Sequence, residues 1–362
     1  MIAQKTDARR AVRVATAVLV ILLGVAIALV TSSSSGPRPA RLTFAIAPGS
    51  NSPDPQDVAK TITALRQLKP PGRSLVVHAY SGYAGNWSWA RYRALVAPAI
   101  QSLEQNGFDV ELVVRYAPLH DRGSPKEMRA FVALVRRLVT AFGGNRRFVS
   151  IQITNEADLS ATPASDGYFN RGDVAWQALI RGVIAAKTTA RRNHFDQLRV
   201  GFNYGARKRA FWRYLGRHGG SAFTRDLDWV GIDTYAGTLT ALPAGGLERG
   251  IAEAIRHSVD RTRHVYLPLA GIPARVALHF SENGYGTALG HSYAMQATAL
   301  KTAVETVASL DRASHVTEYD WFELRDESDS STLPESQLGL ITQDYRPKPA
   351  FSVYRQLIQE FG

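Results

Sequence analysis

The stretch Val276-Ala277-Leu278-His279-Phe280-Ser281-Glu282-Asn283-Gly284-Tyr285-Gly286 decides how the rest of the chain is read. Its first half is short and mostly apolar, as a buried strand requires. Its second half is turn chemistry built on Asn-Gly. A carboxylate, Glu282, therefore stands where a strand gives way to a turn. Earlier, residues 148–154 form a similar run and end in Asn155-Glu156.

Working outward, β-rich runs recur at 42–47, 74–80, 109–116, 148–154, 198–204, 228–235, 276–282 and 316–322. Between them lie segments with apolar positions three and four residues apart, the spacing of one buried helix face. These are 57–68, 89–106, 125–142, 172–192, 207–217, 246–263, 292–309 and 349–361. Regular strand–helix alternation predicts an α/β fold, a closed (β/α)8 TIM barrel over 42–362. A doubly wound open sheet is the rival. It would carry a Gly-rich phosphate turn after its first strand, and Ala47-Pro48-Gly49-Ser50-Asn51-Ser52 lacks that pattern.

The 362 residues, 45% of them hydrophobic, suffice for a large core. The absence of cysteine excludes disulfides, thiolate metal sites and thiol nucleophiles. The formal charge is +12, but the arginines are scattered and no nucleic-acid motif or basic–aromatic repeat accompanies them. No nucleic-acid partner is expected. Residues 1–13 are basic, with Lys5, Arg9, Arg10 and Arg13, and precede an uncharged apolar run at 14–30. That run is near the lower limit for a membrane-spanning helix, about 17 residues. It exceeds the usual signal-peptide core of about 7–15 residues. The preceding charges favour the N-terminus inside. The reading is a transmembrane or signal helix, more simply an uncleaved anchor. A Ser/Pro linker at 31–41 follows, and the barrel lies outside the membrane or is secreted after cleavage.

In such a barrel the C-terminal ends of the strands carry the active site. The polar and aromatic residues there are His78, Tyr80, Arg115, Tyr116, Asn155, Glu156, Asn203, Tyr204, Asp233, Tyr235, Glu282, Trp321 and Glu323. Two glutamates on different strands are what glycosidic bond cleavage needs. One attacks the anomeric carbon; the other protonates the leaving oxygen and then deprotonates water. No sequence-local metal-ligand motif such as H-E-x-x-H and no serine-hydrolase elbow is present, so neither a metal nor a cofactor is expected.

Asn155-Glu156 and Glu282-Asn283-Gly284, in this order on strands four and seven, resemble the retaining glycoside hydrolases of clan A. The resemblance covers residues 42–362 and implies Glu156 as acid/base and Glu282 as nucleophile. It further implies that Asn155 bonds the substrate 2-hydroxyl, Tyr235 holds the nucleophile and Trp321 floors the sugar site. Strand-tip position adds His78 and Arg115 as substrate-binding candidates. Two positions depart from the family pattern: Ala157 stands where many families have proline, and Asp233 where some have histidine. The expected partner is an extracellular oligo- or polysaccharide. The alternative is a catalytically inactive carbohydrate-binding barrel at the cell surface.

Overall fold

The computed structural model describes residues 41–49, 56–83, 87–118, 124–169, 173–288, 290–310 and 312–362. The basic segment, the apolar run at 14–30 and the linker up to residue 40 lie outside the described residues. Among the described residues no helix is long and apolar enough to cross a membrane.

Parallel strands β1 to β8 close into a barrel in sequence order, β8 pairing back onto β1. They are β1 Thr43–Ile46, β2 Val76–Tyr83, β3 Asp109–Tyr116, β4 Phe148–Ile153, β5 Arg199–Tyr204, β6 Trp229–Thr234, β7 Ala277–Asn283 and β8 Val316–Trp321. The helices between them are amphipathic for local reasons. Pro125–Phe142 starts at Ser124, whose Oγ accepts the Glu127 amide at 3.1 Å, with Pro125 in the first turn. It buries Phe131, Leu134, Val135 and Leu138. Full burial of each such side chain is worth roughly 1.5–3 kcal/mol.

The outer faces of the strands meet these helices with Val, Ile, Leu and Phe. The inner faces differ. Side chains alternate along a strand, and here the inward set is largely polar: His78 on β2, Glu111 on β3, Ser150 and Gln152 on β4, Asn203 on β5, Asp233 on β6, His279 and Ser281 on β7, Glu318 and Asp320 on β8. Glycines make room for two inward side chains. A Cβ at Gly201 would run into the Trp229 ring, and one at Gly231 would overlap Ser281 Oγ.

The first strand of the barrel and the C-terminal helix are tied together. The Leu42 amide donates to Phe361 O at 2.9 Å, and the Tyr354 hydroxyl donates to Ala45 O at 2.6 Å. The acidic loop after β8 is partly internal. Asp326 and Lys348 form a buried ion pair at 2.6 Å.

Candidate active site

The tip of β4 is shaped by one buried carboxylate. Asp166 Oδ2 accepts the amides of Tyr116 at 2.6 Å and Asn155 at 2.9 Å, and Oδ1 accepts Arg115 Nε at 3.1 Å. Thr154 and Glu156 both hold positive φ, 66° and 46°. That conformation costs non-glycine residues on the order of 1–3 kcal/mol each. The surroundings hold it in place. The Glu156 amide donates to Asn203 Oδ1 at 2.8 Å, and Asp158 accepts the Gly205 and Ala206 amides, each at 3.0 Å. Glu156 Oε2 accepts Ser165 Oγ at 2.6 Å. Gly205 must be a glycine here, because a Cβ would overlap Glu156 Oε1.

On the opposite wall, Glu282 reaches the interior through a bulge. Gly231 pairs with His279, and Asp233 pairs with Glu282, so β7 spends one more residue than β6 over the same span. Such an extra residue re-aims side chains. Ser281 keeps the inward phase of His279 and donates to Asp233 Oδ1 at 2.6 Å. Glu282 also turns toward the cleft, and Asn283 turns outward to accept the Tyr319 hydroxyl at 2.5 Å. The Tyr235 hydroxyl donates to Glu282 Oε2 at 2.7 Å.

Carboxylate oxygens of Glu156, Glu282 and Asp233 all lie within 4.8 Å of one another. Crowding and burial raise their proton affinities. Glu156 is pushed up to about 8, by burial first and by Glu282 second. Burial also pushes Glu282 up, to about 7, against the Tyr235 hydrogen bond and the Arg115 charge. Asp233 is raised well above the usual carboxylate range by burial and by both glutamates. At neutral pH the site therefore keeps protons among its carboxyls, with Glu156 a better proton holder than Glu282. Tyr235 stays a neutral phenol, its ionisation opposed by burial and by Glu282.

No protein-family model and no curated protein matches the sequence. The barrel is similar to those of glycoside hydrolases. A GH5_18 protein from Bifidobacterium longum subsp. infantis aligns with TM-score 0.61 and 14% identity, over 89% of this chain and 79% of that one. A β-glucuronidase of an uncultured Clostridium sp. gives 0.59 and 13%, over 89% of this chain and 50% of that one. A family 39 glycoside hydrolase from Bacteroides cellulosilyticus WH2 gives 0.55 and 14%, over 88% and 64%. This chain thus spans about half the length of the glucuronidase. At these identities the likeness is one of fold.

The structure gathers Glu156, Glu282, Asn155, Tyr235 and Arg115 at the C-terminal end of the barrel and leaves His78 and Trp321 elsewhere. Trp321 is fully buried, faces the helices and donates Nε1 to Leu338 O at 3.0 Å. The reason is strand parity: Glu318 and Asp320 point inward, so Trp321 points out and Phe322 is the partly exposed aromatic at the cleft. Phe322 meets Tyr235 edge-on at 6.2 Å. Tyr116 and Tyr204 are also outward; their hydroxyls meet Glu127 and Thr262. His78 lies inside the barrel, 2% exposed, with Nε2 3.1 Å from Asp320 and 3.5 Å from Glu111. It is two residues too deep to touch a ligand, and Tyr80 is the β2 residue at cleft level. Arg115 is 21% exposed and spends Nη2 on Pro163 O at 2.9 Å, so it braces the β4 loop beside the glutamates. Ser165 and Asp166 were not legible as site residues, since they sit in a long loop with no motif.

Proposed function

We propose that this chain is a retaining glycoside hydrolase of the clan A type, with Glu282 as nucleophile and Glu156 as acid/base. The observation that carries the reading is the approach of the two carboxyl groups, with oxygens within 4.8 Å. Direct attack on the anomeric carbon needs carboxyls about 5–5.5 Å apart, whereas a water-mediated inversion needs roughly 6.5–9.5 Å. The fold likeness to glycoside hydrolases is consistent with this.

In the first step Glu282 attacks the anomeric carbon while Glu156 delivers its proton to the leaving oxygen. The Tyr235 hydroxyl keeps Glu282 charged and aimed. Once Glu282 is esterified its charge is gone, and Glu156 loses one cause of its raised proton affinity. It becomes the better base for the water that releases the sugar. Asn155 binds Asn203 through Oδ1 at 2.9 Å and Ala164 O through Nδ2 at 3.2 Å. The second Nδ2 hydrogen is assigned to the substrate 2-hydroxyl. Phe322, in place of Trp321, offers an apolar face to the sugar ring. The substrate is a glycan met outside the membrane, the 14–30 segment acting as anchor or export signal.

The test is a screen of chromogenic β-glycosides, including β-glucuronides because one similar structure is a β-glucuronidase. A mechanism-based 2-fluoroglycoside should then label Glu282. Labelling at another residue, or inversion of the anomeric centre in the product, overturns the mechanism.

A further inference from the structure

Beneath the cleft the barrel holds a second group of titratable side chains that the glycosidase reading does not use. Glu111 on β3, His279 on β7 and Glu318 on β8 each offer a ligand atom, and these atoms lie within 4.8 Å of one another. They are 1%, 0% and 2% exposed. Neither ring nitrogen of His279 has a hydrogen-bond partner, and neither does Glu111 Oε2. The contacts that exist are long: His279 Nδ1 lies 3.4 Å from Glu318 Oε1, and Arg199 Nη2 donates to Glu318 Oε2 at 3.5 Å. Buried polar groups left in this state are costly. We propose that Glu111, Glu318 and His279 form a structural site for a divalent first-row cation of the zinc type, in the barrel interior below the catalytic carboxyls.

The donor chemistry selects the ion. One imidazole and two carboxylates suit zinc and its neighbours. Calcium seeks six to eight oxygens, and magnesium keeps several waters, more than these three side chains supply. With Glu111 binding through both oxygens, four donors are at hand. Zinc bonds of about 2.0–2.2 Å require the three side chains to draw in slightly, within the reach of glutamate rotamers. His78 stands behind Glu111 at 3.5 Å and beside Asp320 at 3.1 Å, an outer-shell position.

Charge balance points the same way. Glu111, Glu318 and Asp320 are three buried carboxyls around one permanent cation, Arg199. With all three ionised, Arg199 leaves two negative charges uncompensated. A dication supplies those two charges and leaves the group neutral with Arg199. The Arg199 side chain is 38% exposed and begins β5. It marks the route from solvent at the N-terminal end of the barrel.

The proposal is independent of the glycosidase reading. The test uses the full chain, stripped with a chelator, and titrated with Zn2+ alone by calorimetry. Co2+ substitution then gives a visible absorption spectrum of the bound ion. One ion per chain is expected. Glu318→Gln and Glu111→Gln should each weaken binding by more than the roughly 10–100-fold that loss of an outer-shell partner costs. Glu282→Gln, which alters only the upper carboxyls, should bind as the parent does. Circular dichroism establishes that each variant is folded, and His78→Gln serves as a milder probe should a ligand variant unfold. No stoichiometric binding by the folded parent chain overturns the proposal. So does binding lost in Glu282→Gln but kept in Glu318→Gln, which would move the ion to the cleft.

Discussion

The barrel interior holds two clusters of carboxyl groups of similar compactness and opposite construction. The upper one, Glu156, Asp233 and Glu282, is met by directed donors: Ser165, Ser281, Asn203 and Tyr235, at 2.6–2.7 Å. The lower one, around Glu111 and Glu318, faces two imidazoles whose nitrogens make no hydrogen bond. Directed donors fix where each charge sits and leave it usable at an open surface. A cluster without them needs protons or a cation to exist at all. The same residue type thus serves two purposes, set by what surrounds it.

The difference predicts unequal responses to substitution. The largest effect belongs to Glu282→Gln, which removes the oxygen proposed to attack. Turnover should fall by more than about 10⁴-fold, the upper end of what loss of a proton-transfer group costs, measured as kcat/KM on the best chromogenic substrate. Undiminished hydrolysis would falsify the assignment. Glu156→Ala should cost about 10²–10⁴-fold on substrates with poor leaving groups. It should cost much less with nitrophenolates, and added azide should restore rate.

Next is Tyr235→Phe. A hydrogen bond to a charged group is worth about 1.5–3 kcal/mol, roughly 10- to 100-fold in kcat. The bond favours ionised Glu282, so its loss raises the Glu282 proton affinity. The acidic limb of the rate profile should then move to higher pH. Ser165→Ala should move the opposite limb. Ser165 favours ionised Glu156, so without it Glu156 keeps its proton to higher pH and activity extends further into alkali. An unchanged profile in both variants would separate these donors from the chemistry.

Stability tests the lower cluster. Glu111 and Glu318 bind protons more tightly folded, near 7 and 8, than unfolded, near 4.5. A carboxyl raised on folding contributes stability below its unfolded value and loses it as pH rises through the folded value. His78 and His279, lowered on folding, contribute in the opposite sense and only below about 6.5. Between pH 6.5 and 8 the histidines drop out, and Glu156, Glu282 and Asp326 add to the same slope, so the part that Zn2+ removes is the lower cluster's share. The Tm of the metal-stripped chain should fall across that window, and Zn2+ should flatten the slope. The smallest effect is expected of Trp321→Phe, which loses one hydrogen bond to Leu338 O, about 0.5–1.5 kcal/mol. It should alter Tm slightly and kcat not at all, whereas Phe322→Ala should lower kcat/KM.

Much of the frame was legible from sequence, and the reasons are local. Strand 109–116 and helix 125–142 have sharp boundaries because their apolar periods are clean and Ser124-Pro125 is a strong helix start. The glutamates stood out because each closes a strand at a turn. What failed was phase. The family resemblance implies Trp321 as the sugar floor. The pattern Glu318-Tyr319-Asp320-Trp321-Phe322 already placed Trp321 opposite the acidic residues. In a barrel with a polar interior, that means outward. The bulge that turns Glu282 inward leaves no mark in the residues around it, since it exists as a register shift of β7 against both β6 and β8. The lower cluster was invisible for a similar reason. Its members come from strands far apart in sequence, so no spacing rule joins them.

Asp166 carries a practical lesson for re-engineering. One side chain pins the ends of β3 and β4 and the loop that closes over them, through two backbone amides and Arg115. Ser165 on Glu156, Asn155 on Ala164 O and Arg115 on Pro163 O add further ties to the same short stretch. The loop's outward residues, such as Tyr168, face solvent and can be exchanged to alter which glycan is admitted. The acid/base keeps its place as long as the Ser165-Asp166 pair is carried along unchanged.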